Sequence, residues 1–215
     1  MVDNIRPPVL YKLRDARFGQ RAIKERRLKV ARLLDLNDPF DLLSPRLGPE
    51  GNALLQVAKR QWHDEFAIIC MSANWQNPVV WSHYADAHKG IALGFWTDPS
   101  IFLPVQYKTE RPVPQGWPRR FTEADLEEII STKFCDWSYE SEYRGTFEFD
   151  AHTVGDGEPH FEPFSPQMKL VEVIIGCASD VTADAVREKL GDLRHVKVFK
   201  ARAHESEFSL DRDEV

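Results

Sequence analysis

The chain has 215 residues, 42% of them hydrophobic and 29% charged, and a formal net charge of −6. That length buries a sound core within one domain, no apolar run approaches the about 20 residues of a membrane-spanning helix, and the acidic balance speaks against non-specific duplex binding. Three cysteines, Cys70, Cys135 and Cys177, are too few and too widely spaced for a disulfide framework or a zinc knuckle. Cys70 and Cys177 lie in apolar runs and read as small core residues. The first eight residues lack the apolar core of a secretory signal, so the expected location is the cytoplasm, with no membrane partner.

The charge is uneven. Residues 1–32 carry ten Lys and Arg against three Asp and Glu, a local balance of +7 that leaves −13 for the remainder. Arg14, Arg17, Arg21, Lys24, Arg26, Arg27, Lys29 and Arg32 form either a solvated helix face or a phosphate-binding patch for a nucleotide or nucleic acid. Residues 9–14 alternate as a first strand, and 16–29 read as an amphipathic helix with Phe18, Ala22 and Leu28 turned inward. A short strand over 31–36 runs into Asn37-Asp38-Pro39-Phe40-Asp41, a corner fixed by Asx turns and proline whose polar groups face either solvent or a ligand.

Residues 49–65 read as a helix and 66–71 as a strand buried on both faces. Asn77 and Pro78 suit the start of a short helix and Gly90 its stop, before a strand over 91–96. Trp81, Tyr84 and Ala85 share one face of that helix. His83 and His88 lie about 140° apart on it, which disfavours chelation, so no metal is expected. A brief strand over 105–107, a proline-rich loop over 108–121 and a helix from a Thr122 cap to about Lys133 come next.

From Glu142 the chain alternates, with Glu142, Arg144, Thr146 and Glu148 on one side and Tyr143, Gly145, Phe147 and Phe149 on the other. An extended Glu140 would share the charged side. That side is either a solvated face or the floor of a cleft, and the preceding rings Trp137 and Tyr139 favour the cleft. Beyond it, 160–164 are expected to close a hairpin with this strand. Residues 170–176 read as a core strand, 182–190 as a helix and 196–201 as a last strand. The expectation is one α+β domain over 1–203, with a central, mainly antiparallel sheet and flanking helices, and a loose acidic tail over 204–215.

Together Leu10-Tyr11-Lys12-Leu13-Arg14, Asn37-Asp38-Pro39-Phe40-Asp41, Trp81-Ser82-His83-Tyr84-Ala85 with His88-Lys89-Gly90, and Trp137-Ser138-Tyr139-Glu140 with Glu142-Tyr143-Arg144 resemble the bacterial family known as domain of unknown function 2971. Some of its members are similar to proteins of phage-resistance loci. That resemblance implies a toxin or phage-defence context with an antitoxin or other defence-system partner. A second resemblance is to ADP-ribosyltransferases, which open with a strand that grips NAD and carry Glu-x-Glu at a later strand. It implies NAD as substrate, a nucleic-acid or protein acceptor, Tyr11, Lys12, Arg14, Tyr139 and Tyr143 at the cofactor, and Glu142 and Glu140 in catalysis. Lys12 departs from the usual His. In that reading Glu142 faces the ribosyl cation and Glu140 orients the acceptor; Tyr84 and Arg144 are further candidate site residues, and Asn37, Asp38, Trp81 and His83 are the candidate ligand or partner surface of a non-catalytic alternative. Two other readings are a non-catalytic nucleotide-sensing or interaction module, and a metal-dependent nuclease built on Asp38, Asp41, Glu140 and His83.

Overall fold

The computed structural model describes residues 9–36, 38, 40–41, 48–111, 123–148 and 159–215. The first part of the chain forms β1 (Val9–Arg14), α1 (Ala16–Glu25), β2 (Arg27–Lys29), β3 (Ala31–Arg32), α2 (Gly48–Glu65), β4 (Phe66–Ser72), α3 (Pro78–Tyr84) and β5 (Ile91–Thr97). There follow β6 (Phe102–Pro104), β7 (Gln106–Lys108), α4 (Glu123–Ile130), β8 (Thr132–Phe134) and β9 (Glu142–Glu148). The chain closes with β10 (Phe161–Pro163), β11 (Met168–Ile175), α5 (Ala183–Leu190), β12 (Lys197–Ala203) and β13 (Leu210–Glu214). The class is α+β. The main sheet runs β13-β12-β11-β5-β1-β4-β9-β6, with β3 paired to β4. Its ladders are antiparallel except β11 with β12, which α5 joins as a crossover.

Both faces of this sheet are covered, which is why β4 and the run Ile91–Phe95 are apolar without alternation. On one face Leu10, Ile91, Leu93, Val173 and Ile175 pack with Ile23 of α1 and Val186 and Leu190 of α5. On the other, Tyr11, Leu13, Ile174 and Phe199 pack with Val80 and Trp81 of α3. A third cluster seats α2 and α4 on β4 through Leu55, Trp62, Ile129 and Ile68.

Several expectations are corrected. The helix expected over 16–29 stops at Glu25, because Arg26 turns left-handed (φ 55°) and sends Leu28 into β2. Phe18 faces outward, 55% exposed. The strand expected over 31–36 gives way after Arg32 to a 3-10 turn, Leu33–Asp35. Cys177 is exposed rather than a core residue. The 160–164 segment pairs with β2, not β9. The chain after His204 is not a loose tail, since Leu210–Glu214 forms the edge strand of the main sheet against β12. Its run of charged residues, Asp211, Arg212, Asp213 and Glu214, suits an edge that must resist further pairing.

Arg212 also reaches inward. It donates to the buried Glu172 carboxylate, which accepts from the Tyr11 hydroxyl at 2.6 Å, and its guanidinium lies 4.1 Å from the Phe199 ring centroid. Removing it leaves Glu172 buried without its cation. Arg212→Ala is expected to lose about 2 kcal/mol of stability and roughly 4–8 °C in Tm by thermal melting. Arg202→Ala, which removes only exposed ion pairs to Asp211 and Asp213, is expected to shift Tm far less.

Candidate functional site

The sheet splits at its centre. β1 pairs with β5 along its whole length but meets β4 at one position, Tyr11 opposite Ser72. Beyond that pair Lys12 spans the gap, its Nζ donating to the Cys70 carbonyl at 2.7 Å. A cleft of about 560 Å³ opens there, a size typical of small-molecule sites. Lys12, Arg14 and Lys29 line it from one side, and Asp41, Glu140 and Glu142 with Lys133 from another. His83 and Tyr84 reach it from α3.

The carboxylates do not sit as two residues of one strand. Cys135–Glu140 is a 3-10 turn, and Ser141 then adopts φ 46°, a left-handed conformation that reverses the chain before β9 begins at Glu142. Both side chains therefore converge on Lys133, whose Nζ lies 2.6 Å from Glu140 Oε2 and 2.9 Å from Glu142 Oε2. The turn is pinned from three sides. Ser72 Oγ donates to the Glu140 carbonyl at 2.6 Å, Asn77 Nδ2 to the Tyr139 carbonyl at 3.2 Å, and the Glu142 N–H donates to the Tyr107 hydroxyl at 2.8 Å.

Arg144, 1% exposed in its side chain, lies behind this pair. Its Nη1 and Nη2 grip Asp41 at 3.0 and 2.7 Å, its Nε and Nη2 take Glu142 at 3.0 and 3.1 Å, and Nη1 also donates to the Ile130 carbonyl. Burial would push the Glu142 carboxyl up, but Arg144 and then Lys133 outweigh it and hold it well below its usual value. Burial likewise would lower Lys133, and the two glutamates hold it above its usual value instead. Glu140 is held more lightly, by Lys133 and by the Tyr84 hydroxyl, one donor to each oxygen. A carboxylate has about four acceptor positions, so Glu140 keeps room for a ligand donor that Glu142 has largely used up.

On the basic side, burial and then Arg14 bring the Lys12 ammonium down to about 8, and Arg14 Nη2 donates to the Lys29 carbonyl at 3.3 Å. Burial and then Glu142 raise the Cys70 thiol to about 12, so it is no nucleophile. Among the described residues no group of His, Cys, Asp and Glu is arranged to hold a metal ion. No described helix is long and apolar enough to cross a membrane.

Of the residues singled out from sequence, Tyr11, Lys12, Arg14, His83, Tyr84, Glu140 and Glu142 line this one cleft. Tyr139 stands beside it, its ring 6.1 Å from His83 and 6.0 Å from Trp137. Tyr143 does not share the site, because it leaves β9 on the opposite face and packs on the main core. Trp81 is fully buried and donates to the Trp75 carbonyl, which makes it a core residue. Asp38 serves the corner, accepting from the Phe40 N–H at 2.8 Å, and Asn37 lies outside the described residues. Lys133 was missed as a site residue: its position at the end of an expected helix gave no sign that it pairs with both glutamates. Comparison with protein-family models, with curated proteins and with solved structures gave no match.

The Arg144 network carries a stability prediction. Arg144→Met leaves buried Glu142 and Asp41 with Lys133 as their one remaining cation within 4.0 Å among the described residues, and is expected to lose about 3–5 kcal/mol in urea unfolding at pH 7. Since the folded Glu142 carboxyl lies below the ordinary glutamate value of about 4.5 that it takes in the unfolded chain, its stabilisation is complete above that pH and fades as pH falls below it. The wild type should therefore lose stability more steeply than Arg144→Met between pH 5 and 3.

Proposed function

We propose that this cleft binds NAD and that the chain transfers ADP-ribose from it to an acceptor, as ADP-ribosyltransferases do. The observation that carries this reading is the meeting of Lys12 and Arg14 from the first strand with the Glu140-Ser141-Glu142 turn across one cleft, although about 130 residues separate them in sequence. In this reading Lys12 and Arg14 hold the pyrophosphate, with Arg14 as the forked donor. His83, Tyr84 and Tyr139 offer ring faces for nicotinamide.

The bond from ribose C1′ to the nicotinamide nitrogen breaks, and its electron pair leaves with neutral nicotinamide. Positive charge builds on the sugar, where a fixed carboxylate stabilises the transition state more than the ground state. Glu140 is assigned that role in preference to Glu142, because its oxygens are less fully occupied. The acceptor oxygen or nitrogen then bonds to C1′ and its proton passes to Glu140. Glu142 is a positioning residue that sets Lys133, and Lys133 and Tyr84 hold Glu140 in line. A toxin or phage-defence effector of the bacterial cytoplasm, restrained by a partner protein, is the setting that the motif resemblance supports.

One feature favours a second reading. Both glutamates are already paired to cations, as in a cleft that senses a nucleotide without turning it over. Nicotinamide release from NAD, measured with bacterial lysate as acceptor source, separates the two. Wild type should release nicotinamide, folded Glu140→Gln should lose about a hundredfold or more of the rate, and Lys12→Met should weaken NAD binding by about tenfold. NAD binding without release would favour the sensing module. Neither release nor an NAD-induced rise in Tm would sink both readings.

A further inference from the structure

The basic residues of the first third are not all spent on the cleft. α1 starts from an Asp15 cap directly after Arg14, and Arg17, Arg21 and Lys24 follow at spacings of four and three along one side. With a rise of about 1.5 Å per residue, their Cα atoms step by about 6 and 4.5 Å along the helix axis. Beside α1 lies α5, tied to it by Arg26, which donates to the Leu190 carbonyl at 2.6 Å and pairs with Asp192 at 2.7 Å. The two helices frame an open groove of about 600 Å³ whose charged lining is Arg17, Arg21, Lys24, Glu25 and Lys189. Four cations face one carboxylate in a chain whose net charge is −6.

The carboxylates nearby do not neutralise the groove. Glu25 is shared between Arg21 at 2.6 Å and Arg27 at 2.7 Å, and Glu188 pairs with Lys189 at the rim. Among the described residues neither Arg17 nor Lys24 stands in an ion pair, although Lys24 lies close enough to Glu188 to help Lys189 hold that carboxyl below its usual value, and Arg17 lies over the ring of Phe18, which is 55% exposed. The groove and the cleft meet the same stretch of chain, since Asp15, the cap of α1, lines the cleft and Ala16, its first residue, lines the groove.

We infer that the α1–α5 groove binds the phosphate backbone of a single-stranded nucleic acid and leads it to the cleft as the acceptor of ADP-ribose. The binding site stands on the groove alone, whereas the acceptor role rests on the NAD reading. Forked guanidinium groups spaced along one helix suit successive phosphates, and an exposed ring beside them suits an unpaired base. An acidic protein segment would need no such ring.

The test is fluorescence anisotropy of the full chain with a labelled mixed-sequence 16-nucleotide DNA strand. With three or four phosphates neutralised, log K should fall against log salt with a slope of about −2 to −3, so that affinity drops roughly 20- to 50-fold between 50 and 200 mM salt. The combined variant Arg17→Glu, Arg21→Glu, Lys24→Glu should bind at least tenfold more weakly, with its melting curve kept. Arg202→Glu, an exposed change on β12, should bind as wild type. No salt-dependent binding by wild type, or equal loss in the two variants, would overturn the groove. NAD-induced Tm shifts read the cleft separately and should be the same in wild type and the combined variant. Strand binding lost in that variant while wild type shows no NAD shift would keep the groove and remove its acceptor role.

Discussion

Five charges share one nearly dry space between β8, β9, the 3-10 turn before β9 and the corner at Asp41. Asp41, Glu140 and Glu142 set three negative charges against the two positive charges of Lys133 and Arg144. Charges removed from water are tolerated only where partners stand at hydrogen-bonding distance from all sides, so this network dictates where each segment bearing them lies. It holds the corner at Asp41 against the floor of β9 and fixes the reversal at Ser141. One carboxylate is left in excess. Glu140, held by one donor to each oxygen and so with acceptor positions to spare, faces the cleft across from Lys12 and Arg14, and such a site is suited to a ligand that is anionic at one end and becomes cationic at the other.

The split between β1 and β4 opens the space between Glu140 and these two cations. A ladder that continued past Tyr11 would have used the Cys70 carbonyl; instead the Lys12 ammonium takes it, which satisfies a buried backbone acceptor without closing the sheet. The same strand is held from behind by Tyr11, Glu172 and Arg212, so the last strand of the chain stiffens the wall of the cleft. The rings of His83, Trp137 and Tyr139 complete the carboxylate side.

Much of this was legible in the residues, and the gaps have physical reasons. The alternation from Glu142 marked a strand with one charged side, and the first half of that side, Glu142 and Arg144, is buried while Thr146 and Glu148 are exposed. The left-handed turns at Arg26 and Ser141 are occupied by residues that rarely adopt them, so no glycine announced where the helix or the strand would break. Without Ser141 in that conformation Glu140 reads as a strand residue, and its convergence with Glu142 on Lys133 is invisible. Tyr143 was placed at the cofactor by motif alone, although its alternation partner Phe147 already marked the core side. The charged sequence after Leu210 looks like a solvated tail because an edge strand needs only one buried anchor, here Leu210 itself.

The central claim is that a dinucleotide lies in the β1–β4 cleft with its pyrophosphate at Lys12 and Arg14 and its nicotinamide ribose at Glu140. The most direct measurement is a crystal structure of the full chain with an NAD analogue whose ribose–nicotinamide bond cannot be cleaved. The account predicts density in the split, with the pyrophosphate within hydrogen-bonding distance of Lys12 or Arg14 and a ribose hydroxyl at the Glu140 carboxylate. An analogue seated elsewhere, or a cleft that stays empty at saturating analogue with Lys12 still bound to the Cys70 carbonyl, would contradict it.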